Sequence, residues 1–84
     1  RQMRRQMKKG DLAWLPAATS LLQFSEEDKP ASGVSCFCNP KAPTHVLVLG
    51  EIADIYYKIE YRGDKWAVPK HYLYELQEAK QHAG

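Results

Sequence analysis

From Thr44 to Val68 the chain reads as three short runs rich in β-branched, leucine and aromatic residues: THVLVLGE, then IYYKIEY, then KWAV. Turn residues separate them, and such spacing predicts strands rather than helices. The last two runs meet at Arg62-Gly63-Asp64, where Gly63 supplies the positive φ that a tight hairpin loop needs. Side chains alternate across a strand, so Tyr57, Ile59 and Tyr61 share one face of Ile55–Tyr61, while Tyr56, Lys58 and Glu60 share the other. The first face is the expected core, with Trp66 joining Tyr57 and Tyr61 in it. Pro69 ends the third run, because proline cannot donate to a strand ladder. A single helical turn is expected over Lys70–Tyr74, with Glu75-Leu76 returning to extended chain.

The preceding half is less regular. Asp11–Pro16, DLAWLP, reads as a first strand closed by Pro16. Residues 17–24, AATSLLQF, suit either a short helix or a strand. The stretch SEEDKPASG, residues 25–33, combines breakers with acceptor side chains and reads as a surface loop. Val34–Cys38 alternates as one short strand, and Asn39–Pro43 as another turn. Residues 1–9, RQMRRQMKK, are good helix formers with Met3 and Met7 four apart, stopped by Gly10. They are expected to form a basic helix or flexible tail, a helix there being the last turns of a longer one upstream. Residues 77–84 read as a polar tail. Short strands punctuated every eight to twelve residues indicate one small, mainly β barrel or sandwich over residues 10–76.

Composition narrows the function classes. With 44% apolar and 26% charged residues in 84, the chain can support a single globular core. No apolar run approaches the roughly 20 residues of a membrane span, and no apolar stretch follows the basic N-terminus as in a signal peptide. Arg1, Arg4, Arg5, Lys8 and Lys9 concentrate positive charge at one end, leaving seven basic and ten acidic residues, net −3, in the remainder. A uniformly basic nucleic-acid-binding face is therefore not expected, although the tail alone can touch phosphate. Cys36 and Cys38 lie too close in sequence for a long-loop disulfide, which suggests a reducing, cytoplasmic setting.

Residues 46–76 resemble the C-terminal half of Src-homology-3 domains. Val48-Leu49-Gly50-Glu51 is similar to the "VLEE"-like end of one strand in that family, and Tyr56-Tyr57 to the aromatic pair that opens the next. Gly63 falls at the hairpin, and Val68-Pro69-Lys70-His71-Tyr72-Leu73 is similar to the segment that makes one helical turn before the last strand. The resemblance implies a five-stranded Src-homology-3-like barrel that binds protein or peptide ligands. It implies a binding surface that includes Tyr56, Pro69 and Tyr72, where stacked rings groove a polyproline-type helix. Glu26, Glu27 and Asp28 would then face a ligand arginine or lysine. The family's leading Trp is Tyr56 here and its Asn is His71, which points to an unconventional partner. Gly10-Asp11-Leu12-Ala13-Trp14 opens the chain in the manner of Tudor-like barrels, so a reader of methylated tails or nucleic acid is the alternative. Trp14 joins the candidate surface on that account. A structural or assembly role within a larger scaffold or phage component is the third reading.

Other residue sets carry less. Cys36-x-Cys38 with His45, His71 and His82 holds zinc-ligand types but no second Cys or His pair, so inert buried cysteines are expected and no metal or cofactor is assigned. Arg62-Gly63-Asp64 is accounted for by turn chemistry. No phosphate loop, nucleophile elbow or paired carboxylate appears, which points away from an enzyme.

Overall fold

The computed structural model describes residues 7–75. Its strands are β1 (Leu12–Leu15), β2 (Leu21–Glu26), β3 (Lys29–Cys38), β4 (Thr44–Ile52), β5 (Tyr56–Tyr61), β6 (Asp64–Pro69) and β7 (Tyr74–Glu75). A 3-10 turn at Lys70–Tyr72 links the last two. All seven strands form one antiparallel sheet in the order β3-β2-β6-β5-β4-β1-β7.

The protein is therefore mainly β, as its alternation requires, but the sheet is open: β3 and β7 are edges, not neighbours. Seven strands stand where five were expected, because residues 21–38 form a long hairpin rather than an ambiguous segment, a loop and a short strand, and because Tyr74–Glu75 pairs as a strand of its own. This hairpin is polar because it sits at the margin of the sheet, where neither face needs to be wholly apolar. Its turn, Glu27-Asp28, places Asp28 at φ 64. Ser32 replaces missing ladder contacts: its Oγ accepts from the Glu26 N–H at 2.8 Å and donates to the Lys29 carbonyl at 2.6 Å.

The helix expected over residues 1–9 is absent at Met7–Lys9; residues 1–6 lie outside the described residues. Met7 is instead a core side chain, 3% exposed, and its N–H donates to the Tyr57 hydroxyl at 3.0 Å. Asp11 closes the following turn by accepting from the Lys8 N–H at 2.9 Å. Gly10, at φ 95, then donates to the Val48 carbonyl at 2.8 Å, lengthening the contact between the entering chain and β4.

The core is the concave face of this sheet: Ala13 and Leu15 of β1, Leu21 of β2, Val46 and Val48 of β4, Tyr57 and Ile59 of β5, Val68 of β6, and Leu73 beyond the 3-10 turn. Tyr61 and Trp66 pack half-buried against it, so the expected core face of β5 is the observed one. The Trp66 indole N–H is buried without a partner, a cost of about 1–3 kcal/mol that burial of its ring offsets.

The connection from β6 to β7 shows how strongly the sheet curls. It runs from the third position in the sheet to the seventh, roughly 19 Å across if the sheet were flat. The five residue steps from Pro69 to Tyr74 reach about 18 Å even when fully extended, and the 3-10 turn shortens them. The sheet must curl for Leu73 to seal the core and for β7 to pair with β1 through Trp14–Tyr74 and Ala13–Glu75. A register shift between Val48 and Gly50 leaves Leu49 as an extra residue in β4, a bulge that bends the strand.

The β4–β5 turn is strained. Ala53 and Asp54 both lie at positive φ, 54° and 61°, a conformation suited to Asn or Gly and costly for Ala. Ala53→Asn should therefore stabilise the protein by about 0.5–1 kcal/mol, raising the midpoint of thermal unfolding by roughly 3–6 °C. Circular dichroism on heating checks this, and an unchanged or lower midpoint would show that the turn carries no such strain.

Candidate functional site

The β4–β5 turn and the 3-10 turn meet at one end of the sheet. Tyr56 opens β5 in register with Pro69, the last residue of β6. One residue further out, the Lys70 N–H donates to the Ile55 carbonyl at 3.0 Å, pinning the two turns together. Tyr72 ends the 3-10 turn that Pro69 caps. Of the residues that the Src-homology-3 resemblance singled out, the strand register brings Tyr56 and Pro69 together, and Tyr72 lies in the adjoining turn.

Apolar side chains at this end of the sheet are partly open: Ile55 is 58% and Tyr72 45% exposed, while Tyr56 and Pro69 are half-buried. The Tyr72 ring leans on His71 at 4.2 Å between centroids, and Tyr56 meets the edge of Phe24 at 5.3 Å. Lys70 supports the surface rather than charging it: its Nζ lies 3.3 Å from Glu51 Oε1 and 5.2 Å from the Tyr57 ring centre.

The acidic residues of the β2–β3 turn are paired within the chain. Lys58 donates to Glu27 Oε2 at 2.8 Å and approaches Asp28 Oδ1 at 2.9 Å, while Glu26 pairs with Lys29 at 3.3 Å. Lys58 is itself only 17% exposed. Its hydrogen bond and charge hold the Glu27 carboxyl below the usual carboxylate range. The bond to Glu27 raises the Lys58 ammonium in turn, against partial burial that pulls it down.

Trp14 is not brought to this surface. It packs edge-on against His45 at 5.3 Å, opposite the start of β4. Tyr56 pairs with Ile52 at the other end of that strand, about 23 Å away along seven residues. The cysteines depart from expectation too. Cys38 is half-buried beside the core, but Cys36 is exposed, because β3 is an edge strand whose outer part overhangs the core. Both are free thiols. His82 lies outside the described residues, and among the described residues no group of three or more His, Cys, Asp or Glu could hold a metal ion. Nor, among them, is any helix long and apolar enough to cross a membrane.

Three contributors escaped the sequence reading: Phe24, Ile55 and Lys58. Lys58 sits between tyrosine and isoleucine on an aromatic strand, a setting that invites a carboxylate partner. Its actual partners depend on how the hairpin folds across the sheet.

The linkage has two limbs. Glu27, depressed in the folded state, adds stability above its unfolded pKa and loses that contribution as pH falls through the folded value. Lys58, raised in the folded state, adds stability below its unfolded pKa and loses it as pH climbs through the folded value. The Lys58–Glu27 contribution is therefore level between about pH 5 and pH 10. Because Glu27 is exposed, its effect is small. Glu27→Gln should make the decline of the unfolding midpoint below about pH 5 shallower than in the parent; superimposable acid limbs would remove Glu27 from the linkage.

No protein-family model, curated protein or solved structure matches this chain.

Proposed function

We propose that this domain is a non-catalytic interaction module that docks a peptide or partner domain on the surface formed by Ile55, Tyr56, Pro69 and Tyr72. The observation that carries the reading is the pairing of two exposed apolar side chains with two half-buried ones, on turns pinned by the Lys70–Ile55 hydrogen bond. Exposed rings beside a proline give an extended ligand flat apolar contacts at low entropic cost.

A Src-homology-3-like relationship is part of the proposal. It is supported by the glycine hairpin at Gly63 and by a one-turn helix between the last two strands. The open seven-stranded order departs from the five-stranded barrel, and the extra hairpin is where a distinctive ligand preference would arise. A Tudor-like reader is the alternative. Its cage needs three or four rings converging on a cation, and the rings that strand pairing sets side by side are His45, Trp14 and Tyr74, with Trp14 and His45 5.3 Å apart.

Selection from a displayed random-peptide library, followed by amide chemical-shift titration of the selected peptide, tests the proposal. Shifts should concentrate at Ile55, Tyr56 and Lys70–Tyr72. Tyr72→Ala should weaken binding by about tenfold or more while leaving the fold intact, as for a central aromatic anchor. Shifts concentrated around Trp14 and His45, or unchanged affinity in Tyr72→Ala, would refute this site. So would loss of folding in that variant, because Tyr72 would then be a core residue.

A further inference from the structure

The strand order leaves the β2–β3 hairpin weakly joined to the rest of the sheet. A single register pair, Leu22–Ala67, connects β2 to β6. By contrast β5 and β6 match over six pairs. Beyond Leu22 the hairpin reaches across β6 toward β5, and its turn ends on Lys58. Ala67, on the face of β6 opposite the core residue Val68, is nevertheless only 2% exposed. The overlying hairpin covers it.

The cover is not solid. A cavity of about 400 Å³ lies between hairpin and sheet, bounded by Leu22, Phe24, Lys58, Asp64, Trp66 and Ala67 among others. That volume falls in the range of ligand pockets. Outside the core the hairpin has few fasteners: the Lys58 ion pairs, a Gln23 Nε2 donation to the Lys65 carbonyl at 2.9 Å, and the edge contact of Phe24 on Tyr56. The hairpin is stitched internally by Ser32, and Ser35 Oγ donates to the Gln23 carbonyl at 3.2 Å. It can therefore move as one body. Its base is fixed by Leu21 and Cys38 at the core and by the Ala18 N–H on the Pro40 carbonyl at 2.9 Å.

We propose that the β2–β3 hairpin is a flap hinged near Leu22 and latched by Lys58 to Glu27 and Asp28, and that its release frees Tyr56 from Phe24 and widens the open cleft beneath for a bound peptide. The proposal deepens the docking reading and rests on it for its purpose, while the latch itself stands on the hairpin geometry. In the closed state Phe24 shields one edge of Tyr56, so only the Ile55–Tyr72 side of the surface is open. With Lys58 released, Phe24 lifts with the hairpin, and the surface extends from Tyr72 through Tyr56 to Ala67. The charges that hold the flap face solvent on the carboxylate side, Glu27 and Asp28 being 66% and 52% exposed, so the latch is weak enough to open.

Amide hydrogen exchange on the full chain, without any peptide, tests the latch separately from the docking reading. Two variants break it from opposite sides: Lys58→Met, and Glu27→Gln combined with Asp28→Asn. Each should speed exchange at those amides of Leu22–Ser25 that face β6 by roughly three- to tenfold, with the fixed base at Leu21 and Cys38, and Val46–Val48 and Ile59, unchanged. If Lys58→Met does not fold, the carboxylate variant still gives the answer. Unchanged hairpin exchange in the folded variants would overturn the proposal. Equal acceleration throughout the sheet would also overturn it, because the ion pairs would then be general stabilisers rather than a latch. Failure of the Tyr72→Ala titration alone would remove the docking role and leave the latch standing.

Discussion

A single sheet whose main apolar face no helix covers must bury that face against itself. The described residues contain no helix beyond the Lys70–Tyr72 turn, so curling is the route by which Val46, Val48, Ile59, Val68 and Leu15 leave water. Leu73 makes the curl obligatory. Its short connection joins a central strand to the far edge, and it is fully buried where the chain crosses. Met7 closes the same core from the entering chain, with its N–H satisfied by Tyr57 rather than by a ladder. Both ends of the described chain thus act as seals on a core that one sheet could not complete alone.

The candidate site is a consequence of that closure. Pulling the end of β6 toward β7 forces the chain through a tight helical turn, and the turn presents Tyr72 outward while Leu73 points in. The neighbouring β4–β5 turn is bound to it through the Ile55 carbonyl, which leaves Ile55 itself on the surface. The exposed apolar pair is therefore held by backbone contacts that the core requires, and a ligand would meet a preorganised surface. The β2–β3 hairpin is built differently, on ion pairs and side-chain hydrogen bonds at the margin, where local opening is least costly.

Much of this was legible in the sequence because the local and global preferences agree there. The alternation in Tyr56–Tyr61 gave the buried face, Gly63 the hairpin, and Pro69 the end of β6 with its helical turn. The resemblance singled out Tyr56, Pro69 and Tyr72, and the register of β5 on β6 brings the first two together. The β2–β3 hairpin was hidden for a physical reason: Glu26–Ser32 is too polar for a half-buried strand, and its pairing depends on Ser32 and on Lys58 from a distant strand. Trp14 entered the candidate surface through the Tudor-like opening Gly10–Trp14, and its pairing with His45 puts it at the other end of β4 from Tyr56. The same edge position that hid β3 explains why Cys36 is exposed where a buried thiol was expected.

The curl sealed by Leu73 is best tested by equilibrium urea unfolding of Leu73→Ala, with hydrogen exchange followed at Ala13 and Trp14. If Leu73 closes the core, the variant loses about 2–5 kcal/mol, and protection of β1 falls with it because β7 no longer docks. A loss below about 1 kcal/mol, with β1 protection retained, would contradict the claim that this crossing holds the sheet closed.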